Sequence, residues 1–293
     1  MKVGVVGLGR MGCAIAQRLM AKGCDVVGWD RSQAARERSA GHNIRIAQDA
    51  ATIAGECSFV ISIITEDNGA RELFHGSRGL LSADVAGKLF VEMSTLQPGT
   101  ARELAIAVEA SGARFIDSPV LGSIPTVREG KLLALVGGSP QDVEMARPVH
   151  EHLTRKVVHL GPVGSGDAMK LAVNLVMATY LQSLSEALAL GQMQGLGIPQ
   201  MLDVLSEAPT ANSWLALKKD ILKGGAGDIT MDIRTMRKDV MSATATGALA
   251  GITMPVAAGA LSALSAAVAS NWGEQDLAQL PRFFRETMLQ TYA

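Results

Sequence analysis

The 293-residue sequence predicts an α/β fold: a doubly wound parallel sheet, then an all-helical domain, with one long interdomain helix between them. Three observations predict it. A Gly-x-Gly-x-x-Gly stands between a short apolar run and a helical segment at the start of the chain. Strand-like apolar runs alternate with helical segments as far as Leu160. Beyond a breaker cluster at Gly161–Gly166, helical periodicity continues without a convincing strand.

Lys2–Val6 (KVGVV) reads as the first strand and Cys13–Ala21 as the first helix. The loop between them is Gly7-Leu8-Gly9-Arg10-Met11-Gly12. Asp25–Trp29 reads as the second strand and ends in Asp30, 18 residues after the last glycine. Strand, loop, helix, strand and terminal acid in this register form a dinucleotide fingerprint. The glycines permit a tight turn and a close backbone approach to pyrophosphate, and the helix N-terminus points at the phosphates. A Rossmann-type domain is therefore expected, with Gly7, Leu8, Gly9, Arg10, Met11 and Gly12 as its cofactor loop.

A charged helix follows at Gln33–Ala40, then a short strand at Ile44–Ile46 and a short helix near Gln48–Gly55. Ser58–Ile64 reads as a buried strand, and Val85–Met93 contains another. Thr100–Ala110 reads as a helix, with Thr100 and Glu103 spaced as a capping box. Arg114–Asp117, Leu132–Val136 and Val157–Leu160 complete the strands, and Gln141–Leu153 is a helix. Ala168–Gln194 reads as the long helix, about 40 Å at 1.5 Å per residue, and Gly195–Pro199 stops it. Further helices are expected at Gln200–Ser206, Ser213–Leu222, Thr235–Ala250, Val256–Ala269 and Leu277–Leu289. The expected domains are 1–163, dinucleotide-binding, and 164–293, helical, with the active site where they meet.

Apolar residues make up 48% of the chain and charged residues 19%, enough apolar content for a sizeable core. The net charge is −1 with no basic cluster, which argues against a nucleic-acid partner. Val240–Gly273 carries no charged residue in 34 positions. Its Ser, Thr, Gly and Ala content and Pro255 fit helices buried in a domain or subunit interface better than a membrane span. Cys13, Cys24 and Cys57 show no paired spacing, which suits free thiols in a reducing compartment. Met1–Val6 runs into the glycine loop without a cleavage site. A cytoplasmic location is expected.

Ligands of a doubly wound sheet lie beyond the carboxyl ends of its strands, so the residues after each strand are the candidates. Asp30 suits the ribose hydroxyls of NAD, whereas Arg31 and Ser32 suit the 2′-phosphate of NADP. Thr65 follows another strand. Ser94 and Thr95 either present hydroxyls to the nicotinamide side or form a plain turn before a helix that Pro98 helps to begin. Gly122 and Ser123 offer successive amides and a hydroxyl to a carboxylate, or form a bare loop. Lys170 and Asn174 lie four residues apart, on one face of an otherwise uncharged helical stretch reaching to Glu186. Such a pair is costly unless it is partnered or faces a cleft. There the ammonium would protonate an alkoxide formed by hydride transfer; alternatively Lys170 snorkels at a helix end. Lys238-Asp239 reads as an ion-paired helix terminus. Trp214 is a candidate pocket wall. His150, His152 and His159 make no convincing metal site.

Together these residues resemble the β-hydroxyacid dehydrogenase family across essentially the whole chain. GLGRMG is similar to the family's GLGxMG, and Ser94-Thr95-Leu96-Gln97-Pro98 matches its STxxP. Asp117-Ser118-Pro119-Val120-Leu121-Gly122-Ser123 resembles its DAPVSGG or DAPVSGS loop. Gly164-Ser165-Gly166 with Lys170 and Asn174 resembles its GxGxxxKxxxN, and Arg237-Lys238-Asp239 its later KD motif. The resemblance implies that Lys170 is the catalytic acid/base and Asn174 its substrate-side partner. It implies Gly122 and Ser123 at the substrate carboxylate, Lys238 near cofactor and substrate, and a homodimer or homotetramer built on the helical domain. Leu121 stands where the family has serine, which removes a hydroxyl from the carboxylate site. Asp30 replaces the usual Asn of the NADP-using members, while Arg31-Ser32 is retained, so NADP(H) is favoured and NAD(H) possible. The expected activity is interconversion of a small β-hydroxyacid with its semialdehyde or keto form. The rivals are an imine reductase, which usually lacks the lysine, and a non-catalytic nucleotide-binding scaffold.

Overall fold

Adjacent residues of each central strand drop into two different apolar clusters, as the two-residue period of a sheet buried on both faces requires. Val5, Val26, Ile61, Val91 and Ile116 fall on one side, and Val6, Val27, Val60, Phe90 and Phe115 on the other. The computed structural model that reveals this describes the backbone of residues 1–290 and side chains to residue 287. It divides into two units, Met1–Leu171 and Ala172–Ala293.

The first unit runs β1 (Lys2–Val6), α1 (Arg10–Ala21), β2 (Asp25–Trp29), α2 (Gln33–Ala40), β3 (Arg45–Ile46), α3 (Ala50–Glu56), β4 (Phe59–Ser62), α4 (Asp67–His75) and β5 (Leu89–Glu92). It continues with α5 (Pro98–Ala110), β6 (Arg114–Asp117), β7 (Val120–Leu121), α6 (Ile124–Glu129), β8 (Leu132–Gly137), α7 (Pro140–Met145), α8 (Arg147–Leu153) and β9 (Thr154–Gly161). The sheet order is β3-β2-β1-β4-β5-β6-β8-β7, with β9 paired to β8. The six strands from β3 to β6 are parallel. Strand order reverses between β1 and β4, which places the ligand crevice beyond their carboxyl ends.

Several features depart from the sequence reading. The sheet is mixed: β8 runs antiparallel to β6 and β7, because the short β7–α6 return turns the chain back on itself. Helix α4 and the β7–α6 return occupy stretches to which the sequence reading assigns no helix or strand. The helix expected over Gln141–Leu153 is two helices, and the second opens with Pro148 in its first turn. Helix α5 starts at Pro98, so Thr100 and Glu103 do not form a capping box. Both instead hold Arg71, through Thr100 Oγ1 at 3.0 Å and a Glu103 carboxylate oxygen at 2.9 Å.

Helix α9 (Ser165–Met193) begins in the first unit and ends in the second. The second unit continues with α10 (Ile198–Glu207), α11 (Ser213–Leu222), α12 (Ile233–Leu249), α13 (Pro255–Ala269) and α14 (Leu280–Gln290). Leu181, Leu188, Leu202, Met236, Val240 and Leu264 lie in its core. Lys218 and Asp276 form a buried ion pair there. Lys218 donates to Asp276 Oδ2 at 2.8 Å, and Asp276 also accepts the amides of Thr230 and Ala278, both at 2.9 Å. Among the described residues, no helix is long and apolar enough to cross a membrane.

The β1–α1 turn leaves no room at Gly12. A Cβ there would stand 1.8 Å from the Gly7 carbonyl oxygen, a backbone atom that cannot swing away. Gly12→Ala is expected to destabilise the protein by about 1–3 kcal/mol, the usual cost of overpacking, read as a lower urea midpoint. An unchanged midpoint would mean that the turn opens freely.

Candidate active site

The β1–α1 loop opens on the crevice at the point where strand order reverses. Gly7 has φ +94, a conformation that L side chains rarely adopt, and its amide donates to the Trp29 carbonyl at 2.9 Å. A Cβ at Gly9 would meet nothing within 4 Å, so the backbone is bare on that side. Gly9 is the N-cap of α1 and no side chain caps the helix, as an anion-binding helix start requires. The loop lines a cleft of about 790 Å³ together with Asp30, Arg31 and Thr65. This arrangement fits a dinucleotide, with backbone held open where a pyrophosphate must approach. Gln48, Asp49 and Arg78 line the same cleft and were not singled out from sequence.

The Asp30 carboxylate accepts the Leu8 amide on Oδ2 and the Ser32 amide on Oδ1, both at 2.7 Å. It thus ties the glycine loop to the start of α2. Arg36 braces the same corner, donating to the Asp30 carbonyl at 2.6 Å. Arg31 is mostly solvent-exposed at the cleft, 3.7 Å from Glu72.

Ser94 and Thr95 follow β5. Thr95 is half-buried, but Ser94 is 2% exposed and its hydroxyl accepts the Ile64 amide at 2.8 Å. That hydroxyl is used inside the protein, clamping the loop after β4 to the loop after β5. Beneath it lies Glu92, fully buried, which accepts Ser62 Oγ at 2.5 Å and the Ser94 amide at 2.8 Å. Burial pushes the Glu92 carboxyl up to about 7, against the pull of these hydrogen bonds. A single acid within the apolar run KLFVEM was the available signal for it.

Asp117 ends β6 with 0% exposure. Its Oδ1 accepts the Gly164 amide at 2.8 Å and its Oδ2 the Asp167 amide at 2.9 Å, so it caps α9 from 50 residues away. Burial raises its carboxyl while these amides lower it, and burial prevails. Asp167 in turn accepts the Leu96 amide at 3.0 Å. One turn further on, the half-buried Lys170 ammonium donates to the Val120 carbonyl at 2.9 Å. Gly122 follows with φ +147, and a Cβ there would stand 2.6 Å from Leu132. The Ser123 hydroxyl lies 3.2 Å from that of Thr126. Lys170, Gly122 and Ser123 are thus brought to one loop.

In the second unit, Asn174 is 5% exposed and donates to Asp239 Oδ2 at 2.6 Å. Lys238 pairs with the other oxygen of Asp239 at 2.6 Å, but inside α12 and not at the helix terminus expected from sequence. Asn174 is one helical turn beyond Lys170 on α9. Trp214 packs edge-on to Tyr180, with ring centroids 6.3 Å apart.

Two buried groups carry opposite pH dependences. Glu92 holds a proton in the folded chain that the unfolded chain loses. Its contribution to stability is present below about 4.5 and is lost as pH rises through about 7. His150, 3.0 Å from Ser118 Oγ, is pushed down to about 4 by burial. Its contribution is present above about 6.5 and is lost as pH falls through about 4. Glu92→Gln removes only the first. The variant's stability relative to wild type is expected to rise between pH 4.5 and 7, measured as urea midpoints. A pH-independent difference would show that Glu92 does not titrate in this window.

The comparisons with known proteins agree with this fold. Residues 2–161 match the NAD binding domain of 6-phosphogluconate dehydrogenase. Residues 164–284 match the family described as NAD-binding of NADP-dependent 3-hydroxyisobutyrate dehydrogenase. Glyoxylate/succinic semialdehyde reductase 1 of Arabidopsis thaliana is 28% identical over 98% of this chain and 100% of its own length. The human cytokine-like nuclear factor N-PAC is 27% identical over 97% of this chain, which spans only 51% of that protein. Mycobacterium tuberculosis 3-hydroxyisobutyrate dehydrogenase, solved with L-serine, superposes with a TM-score of 0.85 at 25% identity, over 97% of this chain and 99% of its own. The imine reductase of Myxococcus stipitatus shares the fold, with a TM-score of 0.67 at 20% identity over 97% of this chain and 99% of its own. The chain belongs to the β-hydroxyacid dehydrogenase family of NAD(P)-dependent oxidoreductases.

Proposed function

We propose that the protein interconverts a small β-hydroxyacid and its semialdehyde or keto form, with Lys170 as general acid/base. The observation that carries this reading is the Lys170 ammonium seated on the Val120 carbonyl, two residues before Gly122. The similar mycobacterial enzyme was solved with L-serine, itself a β-hydroxy carboxylate, which supports the substrate class.

The nicotinamide cofactor, when bound, supplies or accepts the hydride. The chain's own residues handle charge and protons. In the reducing direction the Lys170 ammonium gives a proton to the substrate oxygen as negative charge develops there. In the oxidising direction its neutral amine takes the hydroxyl proton. Hydrogen bonding to Val120 fixes where that nitrogen sits. Gly122 has no side chain to cover its amide, so Gly122 and Ser123 are assigned to the substrate carboxylate. Asn174, oriented by Asp239, is assigned as the partner of Lys170 on the substrate side, Lys238 to cofactor and substrate, and Trp214 to the substrate pocket.

NADP(H) is proposed ahead of NAD(H). Both Asp30 oxygens already accept backbone amides, while Arg31 is largely exposed at the cleft, as a 2′-phosphate ligand needs to be. A cytoplasmic homodimer or homotetramer built on the helical unit is also proposed. Exposed Leu249, Ile252 and Val256 in the uncharged 240–273 stretch support that assembly.

Lys170→Ala is expected to keep cofactor binding, followed by fluorescence titration, and to lower turnover of short hydroxyacids by roughly 10²–10⁴-fold. Undiminished turnover would remove Lys170 from the mechanism. A two-cofactor screen of semialdehydes, hydroxyacids and cyclic imines tests the substrate class. Reduction of imines alone, or cofactor binding without turnover of any hydroxyacid, would overturn the assignment.

A further inference from the structure

The Asp117–Val120 segment grips the start of α9 at two points. At one end the Asp117 carboxylate accepts the Gly164 and Asp167 amides, at 2.8 and 2.9 Å. At the other end the Val120 carbonyl accepts the Lys170 ammonium at 2.9 Å. The two grips close a ring: along the strand end from Asp117 to Val120, across to Lys170, back along the first turn of α9 to Asp167, and across to Asp117. Each side of the ring is a few residues of fixed backbone. There is no slack at the carboxylate. A Cβ at Gly137 would stand 2.3 Å from Asp117 Oδ1, and one at Gly166 would stand 2.8 Å from Oδ2.

We infer that Asp117 is a positioning residue for Lys170. It sets the height at which α9 starts relative to the loop that carries Gly122 and Ser123, and so aims the ammonium. This inference rests on the reading of Lys170 as the general acid/base. Buried amides without an acceptor are costly, so weakening the cap moves the first turn of α9 and carries Lys170 off Val120. The glycine loop and Asp30 make none of the contacts in the ring, so the effect on cofactor affinity is limited to what the Leu96–Asp167 hydrogen bond passes to the Ser94-Thr95 turn.

Asp117→Asn keeps one acceptor oxygen and turns an amino group toward a backbone amide. It is expected to lower kcat by about 10–100-fold, the scale of an ångström-size misplacement, while cofactor Kd changes by less than about threefold. The deciding measurement is a double-mutant cycle with Lys170→Ala. If Asp117 acts through Lys170, Asp117→Asn has almost no further effect on kcat once the lysine is gone. A merely structural role would lower kcat by the same factor in both backgrounds and would overturn the inference. If Lys170→Ala alone leaves turnover intact, the reading of Lys170 falls first and the inference falls with it, a distinguishable result. Circular dichroism and a melting curve establish that each variant is folded. Should Asp117→Asn not fold, Gly137→Ala, which presses on Oδ1, carries the same expectation. Failure of both variants to fold would assign Asp117 to stability alone and overturn the inference.

Discussion

One carboxylate decides where the proposed chemistry sits. Asp117 is buried at the end of β6 and holds the first amides of α9, which would otherwise point into the protein interior without an acceptor. Burial of its charge is unfavourable, and the balance lies on the side of a raised carboxyl. The helix start therefore cannot drift, because every shift leaves a buried donor or acceptor unmatched. On the inference drawn above, Lys170 inherits that fixity; its side chain is half-buried and its ammonium donates to a backbone carbonyl.

The cofactor cleft rests on a different constraint, which is steric. Gly7 and Gly12 are required because neighbouring carbonyl oxygens lie where their side chains would be, whereas Gly9 faces open space. Two glycines make the turn and the third keeps it bare. Asp30 then fastens the loop to the second strand's end through the Leu8 amide, so the bare backbone is also held still. Rigid backbone next to an uncapped helix start is what an anion needs, because no reorganisation is spent on binding it.

Local rules made the glycine loop, the alternating strands and the long helix legible from sequence. Steric exclusion at Gly12 and the two-residue period of Val5-Val6 or Val26-Val27 need no distant partner. The start of α1 was read three residues late because Arg10–Gly12 serve loop and helix at once. Helix α4 and the β7–α6 return were missed because their apolar residues are few and breakers flank them. The roles of Glu92 and Asp117 were beyond sequence for another reason. Beyond the local Ser94 amide, their partners lie 30 residues away at Ser62 and about 50 away at Gly164 and Asp167, and no spacing rule joins them. Ser94 was legible as a residue of interest, but its hydroxyl turned inward to Ile64. Lys170 and Asn174 stand out as candidates because charge and amide are conspicuous on an uncharged helix face, whereas Asp239, the partner of Asn174, is named from sequence only as half of an ion pair.

The buried Lys218–Asp276 pair has an evolutionary consequence. Replacing either partner alone strands the other as an uncompensated charge in the core of the helical unit, at a cost of about 3–5 kcal/mol, and replacing both still takes the acceptor from the Thr230 and Ala278 amides. Descendants of this sequence can lose Lys218 only together with Asp276, and Asp276 only where another acceptor meets those amides. Lineages should therefore divide cleanly into those that keep both residues and those that have neither.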